Sequence, residues 1–548
     1  MRTRSIYLPL FAFLLLTLWT VNIYTQSSPK RTSGELAINK IYATILDRYV
    51  AEIDPEKLSD AAIDGMLREL DPYSQHIDDD DSYRLDAITT GEYGGVGIHL
   101  GRMNDSLVVI SPMDGTPAFR QGIQAGDKIV KIDSVWTRKL DLNKAARLVR
   151  GEKGSILTIL IKRDGEPGYI SFDLERELIK VPDVSYSGLL ENRTGYVKLS
   201  NFSKYSAEDL EKAIRNLNKT HINALVIDLR GNPGGLLSSA LMSADLFIEK
   251  GELLLETRGR INQSNKKYHA RRRPIVPDDL PIAILVDGGS ASASEILSGI
   301  LQDYDRAVIV GEPTFGKGLV QTVTRMTPET RLKLTTAKYY LPSGRLIQKR
   351  DIATSVMYED LLGSDSSAFY SDNHRQFGSG GGVSPDLVVA DLKLSSLEQL
   401  LWRKRIFFKY ALKYGEAHPG MTLSTHLNES EVDSFFNWMR EETLFPKSKF
   451  SAWINQVDKH VDSSSVVYED LMALKDELEL LENKRQTELI DENRTQILSA
   501  LETEVANVLG GNGARVAASL NHDPVILKSV ELLTSSADVD AILAGKSE

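Results

Sequence analysis

The chain has 548 residues with 42% hydrophobic and 26% charged side chains, ordinary globular usage that excludes wholesale disorder and sets a prior of three to four domains. Lys plus Arg number 65 against 76 Asp plus Glu, a net charge of −11 that argues against a nucleic-acid partner bound through its phosphates. Cysteine is absent, which removes disulfides, thiolate metal sites and cysteine nucleophiles together, and a mean hydropathy of −0.22 excludes a polytopic membrane protein.

Arg2 and Arg4 precede an apolar run from Ile6 to Ile23, about 18 residues and just long enough to span a bilayer. The following Tyr24-Thr25-Gln26-Ser27-Ser28-Pro29 offers no small-residue cleavage site. The expectation is an uncleaved anchor within residues 1–30, in preference to a cleaved export signal. It places the remainder on the periplasmic side of a bacterial inner membrane, or free in the periplasm if the segment is removed.

Residues 31–85 read as a helical segment, with Leu36, Ile38, Ile41, Ile45 and Leu46 at helical spacing and a stop at Asp71-Pro72-Tyr73-Ser74. The acidic run Asp78 to Asp81 lacks the ligand spacing of a calcium loop and reads as a solvated turn. Over 86–166 the texture changes to short strands. Gly94-Gly95-Val96-Gly97-Ile98 opens a strand, Leu107 to Ile110 and Lys128 to Ile132 continue, a helix covers Leu142 to Val149, and Ile156 to Lys162 closes the set. This order of elements, with the Gly126-Asp127 turn, resembles a PDZ domain. The backbone N–H groups of Val96, Gly97 and Ile98 are then placed to hold a peptide's terminal carboxylate, and the strand after them to pair with the peptide.

Residues 167–391 alternate strand and helix. The strand Ala224 to Leu229 runs into Arg230-Gly231-Asn232-Pro233-Gly234-Gly235, and Pro281 to Val286 runs into Asp287-Gly288-Gly289-Ser290-Ala291-Ser292-Ala293-Ser294-Glu295. Small residues flank Ser292 where strand turns to helix, leaving a hydroxyl open and helix-terminal N–H groups near it. No histidine stands in a motif beside it, so Lys317, held between Gly316 and Gly318, is the better base; burial lowers a lysine's pKa. Gln321 lies four residues on, an even step along a strand, so its amide is expected to face the amine. Ser290 reads equally as a helix cap. Gly311 to Lys317 also fits the start of a phosphate-binding loop, but Gly318 replaces the metal-binding hydroxyl and a strand follows where a helix is needed. The tail 392–548 is amphipathic helix, longest from Val466 to Leu509, readable as a coiled-coil arm or a packed helical domain.

These segments together resemble the carboxyl-terminal processing peptidases, tail-specific serine peptidases with a Ser–Lys dyad. Leu70 to Ser74, Gly91 to Ile98, Asp228 to Gly235, Ser290 to Glu295, Gly311 to Gly318, Lys338 to Arg345 and Gly382 to Asp386 follow in family order. The resemblance implies an α/β catalytic core of the crotonase/Clp-type peptidase fold, joined to an N-terminal helical segment, a PDZ domain and a C-terminal α-helical region. It implies Ser292 as nucleophile, Lys317 as base at the family's spacing, and Gln321 in support. The oxyanion hole is then the N–H of Ala293 with that of Gly234 or Gly235. No cofactor or metal is implied. Expected partners are unstructured or misfolded protein C-termini, the membrane through the N-terminal segment, and a second copy through the helical tail. The rival from another class is a non-catalytic membrane-anchored PDZ scaffold or chaperone, against which the intact Ser292, Lys317 and Gln321 speak.

Overall fold

The computed structural model describes residues 33–327, 330–349, 368–390, 392–418, 427–446, 448–460 and 466–545. The expected anchor, Ile6 to Ile23, lies outside them. Among the described residues no helix is long and apolar enough to cross a membrane.

Residues up to Leu70 form one unit. Its helices, Ser33–Arg48 and Pro55–Arg68, are joined by the Tyr42 hydroxyl, 3.0 Å from the Pro55 carbonyl and 2.9 Å from the Ser59 hydroxyl. Asp54 caps the second helix through the N–H groups of Glu56 and Lys57. The helical spacing read from sequence is present, yet neither helix buries a residue.

The second unit, from Asp71 onward, carries three further layers of structure. Asp78 to Asp81 is the start of a helix, Asp79–Thr90, rather than a turn: the Asp78 carboxylate accepts from the Asp81 N–H and caps it, as favoured at the positive end of a helix. Next comes an antiparallel sheet in the order Ile98–Met103, Ser106–Pro112, Lys128–Ile132, Ile156–Lys162, Ile170–Glu175. Ile156–Lys162 is therefore not the last strand. Six residue pairs join it to Ile170–Glu175, carrying the sheet past the expected boundary at 166. The alternating Leu157, Ile159 and Ile161 bury on one core with Leu107, Val109, Ala145 and Val149.

The central sheet is six-stranded, ordered Val184–Leu189, Thr194–Leu199, Ala224–Asp228, Ile282–Val286, Val308–Gly311, Leu387–Val388, and parallel after the first pair. Its inner strands Ala224–Asp228, Ile282–Val286 and Val308–Gly311 are buried on both faces, as a covered parallel sheet requires. Leu225, Ile227, Ile282, Ile284 and Ile309 face the helices Ser206–Asn218, Leu237–Ala244 and Ala293–Asp303. The alternate residues Val226, Ala283, Leu285, Val308 and Val310 face the far end of the chain: Leu520, Val525, Ile526, Val530, Leu532 and Leu533. The helical tail thus divides. Residues from Leu397 to Val505 make their own core around Phe407, Phe435 and Leu501, while Pro524–Leu533 and Ser536–Leu543 form the second helical layer of the central sheet. The long helix, Tyr468–Ser519, links the two and breaks at Gly511, whose φ is +70°.

Candidate active site

Ser292 stands one residue before the helix Ala293–Asp303 with φ +53° and ψ −107°, a conformation that side chains bearing a Cβ rarely take. The turn is held from inside. Glu295, completely buried, accepts the Ser292 N–H at 2.8 Å and the Lys317 N–H at 2.9 Å on one carboxylate oxygen. Its other oxygen accepts from the Thr314 hydroxyl and the Gly316 N–H, each at 2.6 Å. One carboxylate therefore fixes the backbones of both Ser292 and Lys317. Burial pushes its pKa up, and the four donors pull it back toward the ionised form. The Tyr339 hydroxyl donates to the Lys317 carbonyl at 2.7 Å and lies 3.4 Å from the Ser292 carbonyl, tying the same two segments a second time.

The three neighbouring serines separate cleanly. Ser290 is buried and donates to the Leu229 carbonyl at 2.8 Å; Ser294 is buried and donates to the Asn232 carbonyl at 2.9 Å. Both hydroxyls are spent on structure, whereas Ser292 is only half-buried. Those two bonds also press the Asn232-Pro233-Gly234-Gly235 turn against the nucleophile segment, as does the Ala291 N–H on the Asn232 carbonyl. At Gly234, with φ +97°, a Cβ would stand 2.6 Å from the Ala291 carbonyl and 2.9 Å from the Ala293 nitrogen, so only glycine permits this approach. The Gly234 N–H is taken by the Asn232 side chain at 2.9 Å. Gly235 forms a parallel bridge with Phe202 whose bonds run through the Gly234 carbonyl and the Leu236 N–H, which turns Gly235's own N–H to the opposite side.

Lys317 is half-buried with its ammonium 4.8 Å from the centre of the Tyr73 ring. Its pKa is lowered to about 8, first by desolvation and then by the charge of Lys333, against opposing pulls from Glu295 and Asp71. Tyr73 is delivered by a turn in which the Asp71 carboxylate accepts from the Tyr73 and Ser74 N–H groups, each at 2.8 Å. The segment read from sequence as a helix stop is thus a wall of the site. Among the described residues no hydrogen bond joins the Ser292 hydroxyl to the Lys317 amine. Gln321 differs from expectation. The strand begins at Leu319, after Lys317, and a bulge between Val320 and Gln321 breaks the even-step relation. The Gln321 amide donates to the Thr335 hydroxyl at 3.3 Å, which donates to Asp71 at 3.2 Å, so it braces the Tyr73 turn and makes no hydrogen bond to the amine.

Glu295, Tyr339, Tyr73 and Lys333 were not assigned roles by sequence. Glu295 had a signal, since Ser292 and Glu295 stand at capping-box spacing. Lys333 had none, because strand register brings it near: it pairs with Val323, and its neighbour Leu334 with Thr322. Removing its charge as Lys333→Gln takes away a like-charge repulsion, so the Lys317 pKa rises. The limb of kcat/KM against pH that depends on Lys317 is expected to move to higher pH, with lower activity at pH 7 and recovery in alkali. An unchanged profile would separate Lys333 from the base.

Just before the strand Ile98–Met103, the PDZ-type loop turns two of its carbonyls into the fold. The Val96 carbonyl accepts from the Ala118 N–H at 3.0 Å and the Gly97 carbonyl from the Met113 N–H at 2.9 Å. In trans peptides the following N–H groups, of Gly97 and Ile98, point the other way. Gly97 has φ +74°, and a Cβ there would meet Thr116 at 2.4 Å. The register makes Ile98 and Pro112 a non-hydrogen-bonded pair, so the Ile98 backbone faces outward from the sheet edge.

Fold and site together define a serine-type peptidase with a PDZ domain attached. The model of peptidase family S41 matches residues 193–357, that of a PDZ domain 108–163, and that of a C-terminal helical domain of a probable PDZ-protease 397–533. An N-terminal domain described for the activating protease CtpB matches residues 20–81. A carboxy-terminal-processing protease of Bartonella bacilliformis is 38% identical over 343 residues, covering 62% of this chain and 78% of that protein. The carboxy-terminal processing protease CtpA of Bacillus subtilis is 33% identical over 361 residues, covering 66% and 76%. Among solved structures, a photosystem II D1 C-terminal processing protease aligns over 66% of this chain and 94% of its own, at 25% identity and a TM-score of 0.34. The chain belongs to the carboxy-terminal processing proteases of peptidase family S41.

Proposed function

We propose that the chain cleaves protein substrates through a Ser292–Lys317 dyad after its PDZ domain has bound their free C-terminus. The observation that carries this is the shared carboxylate: Glu295 holds the backbones of a strained, half-exposed serine and a half-buried lysine whose pKa is about 8. In this mechanism the neutral Lys317 amine takes the Ser292 proton as the hydroxyl oxygen bonds to the scissile carbonyl carbon. Lys317 then gives that proton to the departing amine, leaving an ester on Ser292. Water, losing its proton to Lys317, attacks the ester and returns the free serine. Negative charge on the carbonyl oxygen is met by the Ala293 N–H, an orphan donor at the helix start, and by the N–H of Gly235. Gly235 is favoured over Gly234 because the Gly234 N–H already serves Asn232.

A substrate's terminal carboxylate would meet the N–H groups of Gly97 and Ile98, which point away from the bonds their neighbouring carbonyls make, beside the core residue Val96. Its last side chain would lie between Ile98 and the helix Leu142–Val149, and its backbone along Ile98–Met103. One peptide offered as free acid and as amide tests tail recognition. The acid should be cleaved about tenfold better, since charge-assisted hydrogen bonds are roughly twice as strong as neutral ones. Equal cleavage of the two forms would remove the PDZ domain as the tail reader.

A further inference from the structure

Asp523, at the far end of the helical tail, reaches the segment that carries the proposed oxyanion donor. Its carboxylate caps the helix Pro524–Leu533 through the N–H groups of Val525 and Ile526. The same carboxylate takes both terminal nitrogens of Arg230, at 3.1 Å and 2.7 Å. The other edge of that guanidinium grips Asp228, at 3.1 Å through Nε and 2.7 Å through a terminal nitrogen. Asp228 is buried and also accepts the Tyr196 hydroxyl at 2.7 Å, while Lys198 stands 3.0 Å from it and donates to the Arg230 carbonyl at 2.8 Å. Lys198 and Arg230 hold the Asp228 carboxyl well below the usual range, and the two carboxylates hold Arg230 charged. Arg230 is thus pinned at its side chain between the sheet and the tail, and at its carbonyl by Lys198. Gly231 follows at once with its N–H on Asp287 at 2.8 Å, and then comes Asn232-Pro233-Gly234-Gly235.

We infer that Asp523 is a positioning residue for the oxyanion turn, so that the helical tail is part of the catalytic machinery through a charge pair on Arg230. The inference rests on the proposed role of the Gly235 N–H. With Asp523 neutralised the guanidinium keeps its two-point grip on Asp228 but loses its tie to the tail, so Arg230 can settle by a fraction of an ångström toward the sheet and carry the start of the oxyanion turn with it. A donor displaced by a fraction of an ångström loses hold on a developing oxyanion while ground-state contacts elsewhere persist.

Two substitutions in the full chain separate charge from capping. Asp523→Asn keeps a good helix cap and removes the charge. Asp523→Glu keeps the charge and alters the cap. In the Asn variant kcat is expected to fall about tenfold with KM within about twofold, and a peptide aldehyde, whose adduct presents an oxyanion, to bind about tenfold more weakly. The Glu variant should stay within about threefold of the parent on both measures. If the Asn variant does not fold, the Glu variant decides: a tenfold loss there overturns the inference. So do parental kcat and aldehyde affinity in the Asn variant, or losses in both variants that simply follow their melting temperatures. Mass spectrometry of the parent for an acyl-enzyme on Ser292 keeps the proposals apart. Its absence counts against the dyad; its presence with an unaffected Asn variant counts against Asp523 alone.

Discussion

Ser292→Ala and Lys317→Ala should each lower kcat/KM at least a thousandfold while leaving the melting temperature within a few degrees. In the proposed mechanism each removes a group required in the same proton transfer, so the double variant should be little worse than either single one. Lys317→Arg should be as inactive as Lys317→Ala, because a guanidinium stays protonated and cannot accept the serine proton. With the Lys317 pKa at about 8, roughly a tenth of the enzyme carries the neutral amine at pH 7, so kcat/KM should climb nearly tenfold per pH unit below 8 and level off above it. Ser290→Ala and Ser294→Ala should retain much of the activity and lose stability instead, by about 0.5–1.5 kcal/mol for the buried hydrogen bond removed, since the Leu229 and Asn232 carbonyls each keep a backbone donor. A pH-independent rate, or an active Lys317→Arg enzyme, would require another base.

The second large effect is one of folding. Ending the chain before Leu520 strips seven buried apolar side chains, Leu520 to Val539, from the outer face of the catalytic sheet. At about 1.5–3 kcal/mol for each, the loss is on the order of 10 kcal/mol, the size of a domain's entire net stability. Such a chain should be insoluble or aggregated and should show no cooperative melt, although every residue of the dyad and the PDZ domain is present. A soluble, active truncation would mean that the sheet can leave that face open.

What the sequence made legible was local. Ser292, the glycine turn and Lys317 each sit in a short run whose neighbours state the backbone conformation, and the structure brings those runs together. What it hid depends on pairing across the sheet. Gln321 was placed by counting alternation, and a single bulge at Val320 defeats such a count. Lys333 and Tyr73 approach Lys317 only through the long strand Arg331–Tyr340 and the turn paired with it, and nothing near either residue announces that register. The tail, read from sequence as helical and as either a coiled-coil arm or a packed domain, packs as a domain and sends its last helices onto the sheet. Its amphipathic pattern told that the helices pack on something, and the strands' two apolar faces told that something packs on them, but neither pattern names its partner.

The two-sided sheet sets an order of events during synthesis. Ser292, Lys317 and the glycine turn beside them all emerge from the ribosome well before Val525 and the residues that cover the back of their sheet. Until those last turns of helix arrive, the peptidase half has no stable floor to stand on. A chain that stops short of Val525 should therefore carry the peptidase motifs without the activity, which is expected only once these helices have been made.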